Sequence, residues 1–148
     1  TLLSIESGDM SEPESRVDRD DVSVMLRRVP DEVPAIRRAW SEVERALGSL
    51  RGRKFYGSFD PTTNEYAVCV VLRQGEDPHA LGLEVGTLPG GRYLRARIKG
   101  EPPAVYDVIP PTMQRLADRP DRDLIRPQLE FYRRRDEIDL LVPVLPSP

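Results

Sequence analysis

Apolar and polar positions follow two different periods along the first half of this chain, and they predict a strand, a helix and a hairpin. Residues 22–26 alternate between apolar and other side chains, which is the period of a strand with a buried face. Runs 54–59 and 65–72 flank a polar turn and predict a hairpin. Between strand and hairpin, apolar residues recur at helical spacing. They are Val33, Ile36, Trp40, Val43, Leu47 and Leu50.

The second half repeats this order. Alternation predicts strands at 81–85 and 93–98, separated by a hairpin-type turn at 89–91. A second hairpin is predicted from runs 129–132 and 137–144, after a loop at 118–127. Apolar residues at roughly helical spacing lie between strand and loop, at Val105, Ile109, Met113 and Leu116. The pair Pro110–Pro111 interrupts that spacing, so we expect a kink or two short helical pieces.

The two halves therefore read as one β-α-β-β unit written twice, over residues 22–72 and 81–144. The final apolar runs begin at Glu65 and Glu137, about 72 positions apart, and counting back seven residues from each reaches Ser58 and Glu130. We predict an α+β fold: a curved antiparallel sheet with both helices on one face and a pseudo-twofold axis between the units. Duplication of a small unit commonly places a cleft at that axis.

Residues 1–20 precede this pattern and are predicted to be a poorly ordered arm, since charges and turn formers follow no sustained period there. The short apolar group Leu2, Leu3 and Ile5 is the exception and is compatible with an edge strand. Residues 21–148 are predicted to form one domain.

Composition supports one globular domain and disfavours several partners. The chain has 148 residues, 39% apolar and 32% charged, which is enough for a hydrophobic core. A net charge of −3 lacks the basic surface of a nucleic-acid-binding protein. No apolar run reaches the ~18 residues of a membrane span, and the sequence does not start like a signal peptide. We expect a cytoplasmic protein.

Metal and cofactor chemistry is not expected. Cys69 and His79 are the only cysteine and histidine, and no carboxylates stand at ligand spacing around them. The same scarcity disfavours a histidine-dependent catalytic triad. Cys69 lies in an apolar run and is interpreted as a buried, inert thiol.

Glu130 is the main candidate for chemistry. It lies within an apolar strand, where a carboxylate costs free energy unless something compensates it, and Tyr132 projects from the same side. A solvent-facing glutamate, or one paired with Arg95 or Arg97, remains the alternative. Aromatic residues cluster in the hairpins, either as core or as the lining of a pocket around this carboxylate, a pocket that would suit planar lipophilic cations. From this group we select Tyr132, Tyr93, Tyr56 and Trp40 as ligand-binding candidates beside Glu130.

Three segments resemble the gyrase-inhibitory-protein-like (GyrI-like) small-molecule-binding domains, which also form the effector-binding parts of multidrug-responsive transcription activators. The segments are 89–96, 129–132 and 137–144, and the resemblance spans about 22–144. It implies paired β-α-β-β units with a hydrophobic cleft, and an acidic residue after the second helix that meets lipophilic cations; that residue corresponds to Glu130. The helix-turn-helix of the full-length regulators has no counterpart here, so transcriptional activity is not implied, and direct nucleic-acid binding is not expected.

The leading functional prediction is a binding module that senses or sequesters aromatic, preferentially cationic, small molecules. The alternative is a hydrolase of strained electrophilic molecules, in which Glu130 with Tyr93 or Tyr132 would activate water. A third hypothesis is a gyrase-inhibitor-like module that binds a protein through its surface. We favour binding over catalysis.

Overall fold

A computed structural model of the chain describes residues 14–146. Within them the first half contains four strands and one α-helix, all connected by short turns or loops. They are β1 (Ser15–Arg19), β2 (Val22–Pro30), α1 (Val33–Leu47), β3 (Phe55–Asp60) and β4 (Glu65–Val71). The predicted β-α-β-β order of this half is confirmed, and β1 precedes it.

The second half has four strands, one α-helix and two short 3₁₀ helices, at His79–Leu81 and Ala104–Val108. Its strands and helix are β5 (Glu84–Leu88), β6 (Gly91–Lys99), α2 (Ile109–Ala117), β7 (Gln128–Arg134) and β8 (Glu137–Pro143). The second helical region is therefore in two pieces, as Pro110–Pro111 predicts. Both prolines lie in the first turn of α2, where a missing backbone N–H leaves no helical hydrogen bond unmade.

All eight strands form one curled antiparallel sheet, in the order β1-β6-β8-β7-β3-β4-β2-β5. The α+β class is confirmed. Helix α1 packs on β2 and β4, and α2 packs on β6 and β8. Strands β3 and β7 pair with each other in the middle of the sheet, so they lie between the two helices.

The other face of the sheet is buried by the curl itself. Its cluster includes Val24, Leu26, Tyr56, Leu129 and Leu141, with Cys69 fully enclosed. Burial raises the pKa of the Cys69 thiol to about 12, which agrees with an inert, buried cysteine.

Helix α1 packs on the sheet with the middle of its predicted apolar stripe but not with its first residue. Val43 is buried, and Ile36, Trp40 and Leu47 are partly buried against the same cluster. Val33 is 60% exposed, and Ala35 and Ala39 are buried in addition to the stripe. Small side chains let the helix approach the sheet closely, and this contact is hard to recognise from hydropathy alone. The prediction that Val33 lies in the core is wrong.

Two further predictions about local structure are wrong. Ser15–Arg19 form a strand rather than part of a disordered arm, because β1 pairs with β6 and Val17 packs into the buried face of the sheet. The turn at 89–91 does not close a hairpin, since β5 pairs with β2 whereas β6 pairs with β1 and β8. The apolar group at Leu2, Leu3 and Ile5 lies outside the described residues.

Candidate functional site

A cleft with a volume of about 1630 Å³ lies between α1 and α2, with β3 and β7 as its floor. This position follows from the sheet order, because each helix covers its own half and leaves the central strands open. The walls and floor carry most of the aromatic side chains on this face: Trp40, Phe55, Phe59, Tyr66, Tyr106 and Tyr132.

Strand alternation decides which residues of β7 reach the cleft. Successive side chains of a strand point to opposite faces. Gln128, Glu130, Tyr132 and Arg134 line the cleft, whereas Leu129 packs in the buried face. Glu130 is partly buried, so its carboxylate is withdrawn from bulk water yet reachable from the cleft.

Two tyrosines donate hydrogen bonds to Glu130. The hydroxyl of Tyr132 lies 2.6 Å from Oε1, and the hydroxyl of Tyr66 lies 2.8 Å from the same oxygen. Tyr132 is two residues along the same strand, and Tyr66 reaches across from β4. Both bonds are short, as expected for donors to a charged acceptor.

Trp40 completes this group from α1. Its ring centroid lies 5.1 Å from that of Tyr132 and 5.7 Å from that of Phe55, with tilted planes. Trp40 also lies close enough to the Tyr66 hydroxyl to oppose the rise in the pKa of that phenol.

Gly57 makes room for the tyrosine–glutamate contact. It is the cross-strand partner of Glu130 on β3. A Cβ at this position would overlap the Tyr66 hydroxyl and lie 2.5 Å from Glu130 Oε1. Only glycine fits beneath the two side chains, because any other residue at position 57 would bring a Cβ into the space that they occupy.

Burial is the main electrostatic influence on the site. It raises the pKa of Glu130 above its usual range, and nearby Asp31 acts in the same direction, while the hydrogen bonds from Tyr132 and Tyr66 oppose this shift. The pKa values of Tyr66 and Tyr132 are raised well above their usual range, first by burial and then by the Glu130 charge. Both phenols therefore stay protonated and act as donors at neutral pH.

Glu130 has no cationic partner among residues 14–146. The predicted alternative, a pair with Arg95 or Arg97, is not found: Arg97 binds Asp139 on the other face of the sheet, at 2.6 Å. The carboxylate is stabilised by phenols alone, which supply hydrogen bonds but no positive charge.

The predicted site residues fall into two groups. Glu130, Tyr132 and Trp40 meet in the cleft. Tyr56 and Tyr93 do not, since they lie in the cluster on the opposite face of the sheet. Tyr56 stacks on Phe131 at 4.6 Å, and the Tyr93 hydroxyl donates to the Pro89 carbonyl at 2.5 Å. Assigning these two tyrosines to the cleft is therefore wrong, because strand parity turns both away from Glu130.

Sequence reasoning missed Tyr66 and Gly57. The sequence does carry a signal for Tyr66, because it shares strand parity with Val68 and Val70, which pack under α1. A glycine in the middle of an aromatic strand also indicates a close approach. Without the register of β3 against β7, however, neither residue could be connected with Glu130.

No group of three histidine, cysteine, aspartate or glutamate side chains suited to a metal ion occurs in the described part of the chain. Neither of its two α-helices is long and apolar enough to cross a lipid bilayer.

Comparison with solved structures places the fold among known proteins. An integron cassette protein from the mobile metagenome of Vibrio cholerae superposes with a TM-score of 0.68 and 17% identity, over 93% of this chain and 97% of that one. The protein SAV2435, in a structure with bound tetraphenylphosphonium, gives a TM-score of 0.59 and 11% identity, over 90% and 94% of the two chains. A hydrolase from Listeria innocua gives a TM-score of 0.51 and 10% identity, over 96% of both chains.

At these identities the likeness shows the fold alone. The chain shares its fold with a protein that binds a small molecule and with a hydrolase. No family model matches the sequence, and no curated protein matches it. Membership of the GyrI-like family stays a prediction.

Proposed function

We propose that the cleft binds lipophilic aromatic cations and that Glu130 is the residue that recognises their charge. One observation carries the proposal: a partly buried carboxylate lies on the floor of an aromatic cleft with no basic partner in the described residues. A charge withdrawn from water costs free energy unless an opposite charge compensates it. A bound cation would supply that charge.

The lining fits the apolar part of such a ligand. Trp40, Phe55 and Tyr132 present tilted ring faces above Glu130, and Ile36 and Met113 add aliphatic surface from the two helices. Aromatic faces attract cations and also bury flat apolar surface. Binding would therefore combine hydrophobic burial with one electrostatic contact.

The comparison with SAV2435 supports the proposal through ligand chemistry. That protein is bound to tetraphenylphosphonium, a lipophilic cation with four aromatic rings. Together with the shared fold, it gives the first probe to use on this chain. We further propose that the chain is a GyrI-like domain that acts in the cytoplasm, with multidrug sensing or sequestration as its role.

The test compares two ions of the same shape and opposite charge. Tetraphenylphosphonium and tetraphenylborate are titrated by calorimetry against the wild type, Glu130→Gln and Glu44→Gln. Glu44 also lines the cleft, but the structure gives it no tyrosine partner, so it is a matched control for loss of one charge. Glu130→Gln is expected to weaken the phosphonium by about 1–3 kcal/mol, ten- to a hundred-fold in affinity. Glu44→Gln should change it much less.

Tetraphenylborate should bind the wild type poorly and gain from Glu130→Gln, because the repelling charge is removed. If the two ions bind the wild type equally, or if both lose equally in Glu130→Gln, this residue shapes the cleft without recognising charge. Phosphonium binding that is unchanged in Glu130→Gln would place the ligand elsewhere.

Hydrolysis is the second candidate, and the tyrosine–glutamate cluster is the observation that favours it. A carboxylate with a raised pKa can act as a general base toward a water molecule, and the two phenols that donate to it would orient it. Tyr93 cannot take part, so Tyr132 and Tyr66 would be the tyrosines of this site. Consumption of a strained electrophile by the wild type, lost in Glu130→Gln, would favour this function. Binding that persists with the cleft blocked would instead favour recognition of a protein partner.

We also propose that the two halves are duplicated units related by a pseudo-twofold axis between β3 and β7. Strands β2 and β6 both have nine residues, and β4 and β8 both have seven. Outward from that axis, the strands of the first unit follow in the order β3-β4-β2, and those of the second in the equivalent order β7-β8-β6. Superposition of 22–71 on 91–143 is the test, and a failure to align the helices would refute duplication.

Within this scheme the counterpart of Glu130 is Gly57 rather than Ser58. Val68 and Leu140 are 72 positions apart, and their cross-strand partners are Gly57 and Glu130. The irregularity between Tyr132 and Arg134 adds one residue to β7, but the turn that follows has two residues instead of four. The second hairpin is therefore one residue shorter than the first, which moves the count by one. Ser58 lies opposite Leu129, so its hydroxyl does not face the cleft.

A further inference from the structure

The hydrogen atoms of the tyrosine–glutamate cluster are all committed. Each phenol has one hydroxyl hydrogen, and those of Tyr66 and Tyr132 both point at Glu130 Oε1. The hydroxyls of this cluster are therefore not free to donate to a ligand, although other residues of the lining, such as Gln128 and Arg134, carry donors of their own.

One acceptor remains open. Oε1 has two lone pairs, and the two hydroxyls occupy both. Oε2 has no hydrogen-bond partner in residues 14–146, and it is not among the enclosed side-chain atoms without one, which belong to Ser15, Arg53 and Arg122. Since Glu130 lines the cleft, Oε2 is the oxygen that a ligand meets.

We propose that this cleft selects cations that carry an N–H donor, such as protonated aromatic amines, over quaternary cations of the same shape and charge. The inference rests on the proposed function and adds a hydrogen bond to it. A quaternary ion would gain only the Coulombic attraction, whereas a protonated amine would also donate to Oε2. Hydrogen bonds with a charged partner are among the stronger ones in proteins.

The direction of the tyrosine hydroxyls supports this selectivity, because both already donate to Glu130. For a ligand acceptor to be satisfied, a phenol would have to turn away from the carboxylate and leave a partly buried charge with fewer donors. Tyr66 is buried in the cluster beneath α1, so its ring has little freedom to move away from Glu130. Ligands that only accept hydrogen bonds should therefore gain none from this cluster.

Acridine orange and 10-methyl-acridine orange form a matched pair of probes. Both are planar, fluorescent and singly positive at neutral pH, but only the first has an N–H, on its ring nitrogen. Fluorescence titration of the wild type, with the dyes dilute enough to be monomeric, should show acridine orange binding about ten-fold more tightly. Equal affinities, or tighter binding of the methylated dye, would overturn the proposal.

Glu130→Gln provides a second, sharper readout. Because both phenols need an acceptor at Oε1, the glutamine amide NH₂ should take the position of Oε2 and present donors to the ligand. Both dyes should weaken, and the preference for the N–H dye should vanish or reverse. Glu44→Gln should leave the affinity ratio unchanged. A preference that survives Glu130→Gln at full size would also overturn the assignment to Oε2.

The two proposals fail separately. If the dyes bind the wild type equally but both weaken in Glu130→Gln, cation recognition stands and the hydrogen-bond selection is wrong. If neither dye binds, nor tetraphenylphosphonium, both are wrong.

Discussion

Two carboxylates on neighbouring strands of this sheet differ in the partners that compensate their charge. Asp139 on β8 is 3% exposed and faces the closed side of the sheet, where Arg97 donates to both of its oxygens at 2.6 and 3.1 Å. Glu130 on β7 faces the cleft and has only phenols as partners in the described residues. The first charge is neutralised within the fold, and the second has no ion-pair partner in residues 14–146.

The comparison distinguishes a buried charge that is paired within the protein from one that is not. An ion pair enclosed within the protein is satisfied whatever the solvent contains. A carboxylate that is hydrogen bonded but has no ion-pair partner keeps a charge that the fold does not neutralise.

Removing the arginine on the closed side should have the largest effect. Arg97→Ala leaves Asp139 buried without its bidentate partner, and losses of about 3–5 kcal/mol are typical when one member of a buried pair is removed. Urea unfolding measures the change. Arg95→Ala, two residues earlier on the same strand, is the control and should cost far less, because the described residues give Arg95 no carboxylate partner. Similar losses in both variants would show that the pair does not stabilise the fold.

Filling the space above Gly57 should disturb the cleft side by a smaller amount. Gly57→Ala forces the Tyr66 hydroxyl and Glu130 apart, with an expected cost of about 1–3 kcal/mol in unfolding free energy. Binding of tetraphenylphosphonium should weaken as well, since the carboxylate moves. In the double variant Gly57→Ala with Tyr66→Phe, part of the lost stability should return, because the overlapping hydroxyl is gone. Strictly additive losses would mean that the glycine serves some other contact.

Neutralising Glu130 should have the smallest effect on stability and the opposite sign. Its pKa in the folded protein lies above the ordinary value of 4.5, because burial disfavours the charge. Below the ordinary value both the folded and the unfolded chain are protonated there, and no penalty arises. As the pH rises through the folded pKa, the native state must ionise a partly buried carboxyl, and it loses stability relative to the unfolded chain.

Glu130→Gln should therefore stabilise the protein at neutral pH, and this gain should shrink as the pH falls below the folded pKa. Urea midpoints at acidic and neutral pH measure it, with Glu44→Gln as the control. A gain that is the same at every pH, or a loss at neutral pH, would mean that the phenols already compensate the charge in full.

Much of the fold could be predicted because local pattern and tertiary structure agree. The hairpins at 55–71 and 128–143 follow from alternation and turn residues, and the divided second helical region follows from Pro110–Pro111. The exceptions arise where tertiary contacts decide. Ser15–Arg19 become a strand only because β6 offers an edge, and Ala35 and Ala39 are buried only because the helix lies close to the sheet.

The candidate site was only half predictable for a similar reason. Glu130 and Tyr132 share a strand, so parity alone brings them together. Tyr66 and Gly57 come from other strands, and their meeting with Glu130 depends on the register of three strands, β4, β3 and β7. Tyr56 and Tyr93 show the converse: a concentration of aromatic residues in sequence does not say which face of the sheet each one takes.

The pairing of Gly57 with Glu130 also explains why a single chain that contains both β-α-β-β units suits this site better than a homodimer of one unit would. In a homodimer of identical β-α-β-β units, equivalent residues would face each other where β3 meets β7. Two glutamates there would repel, and two glycines would leave no charge at all. A gene encoding both units in tandem can vary each half independently. Under the duplication proposed above, one half keeps the acid while the other keeps the space it needs, at a position where identical residues would be a disadvantage.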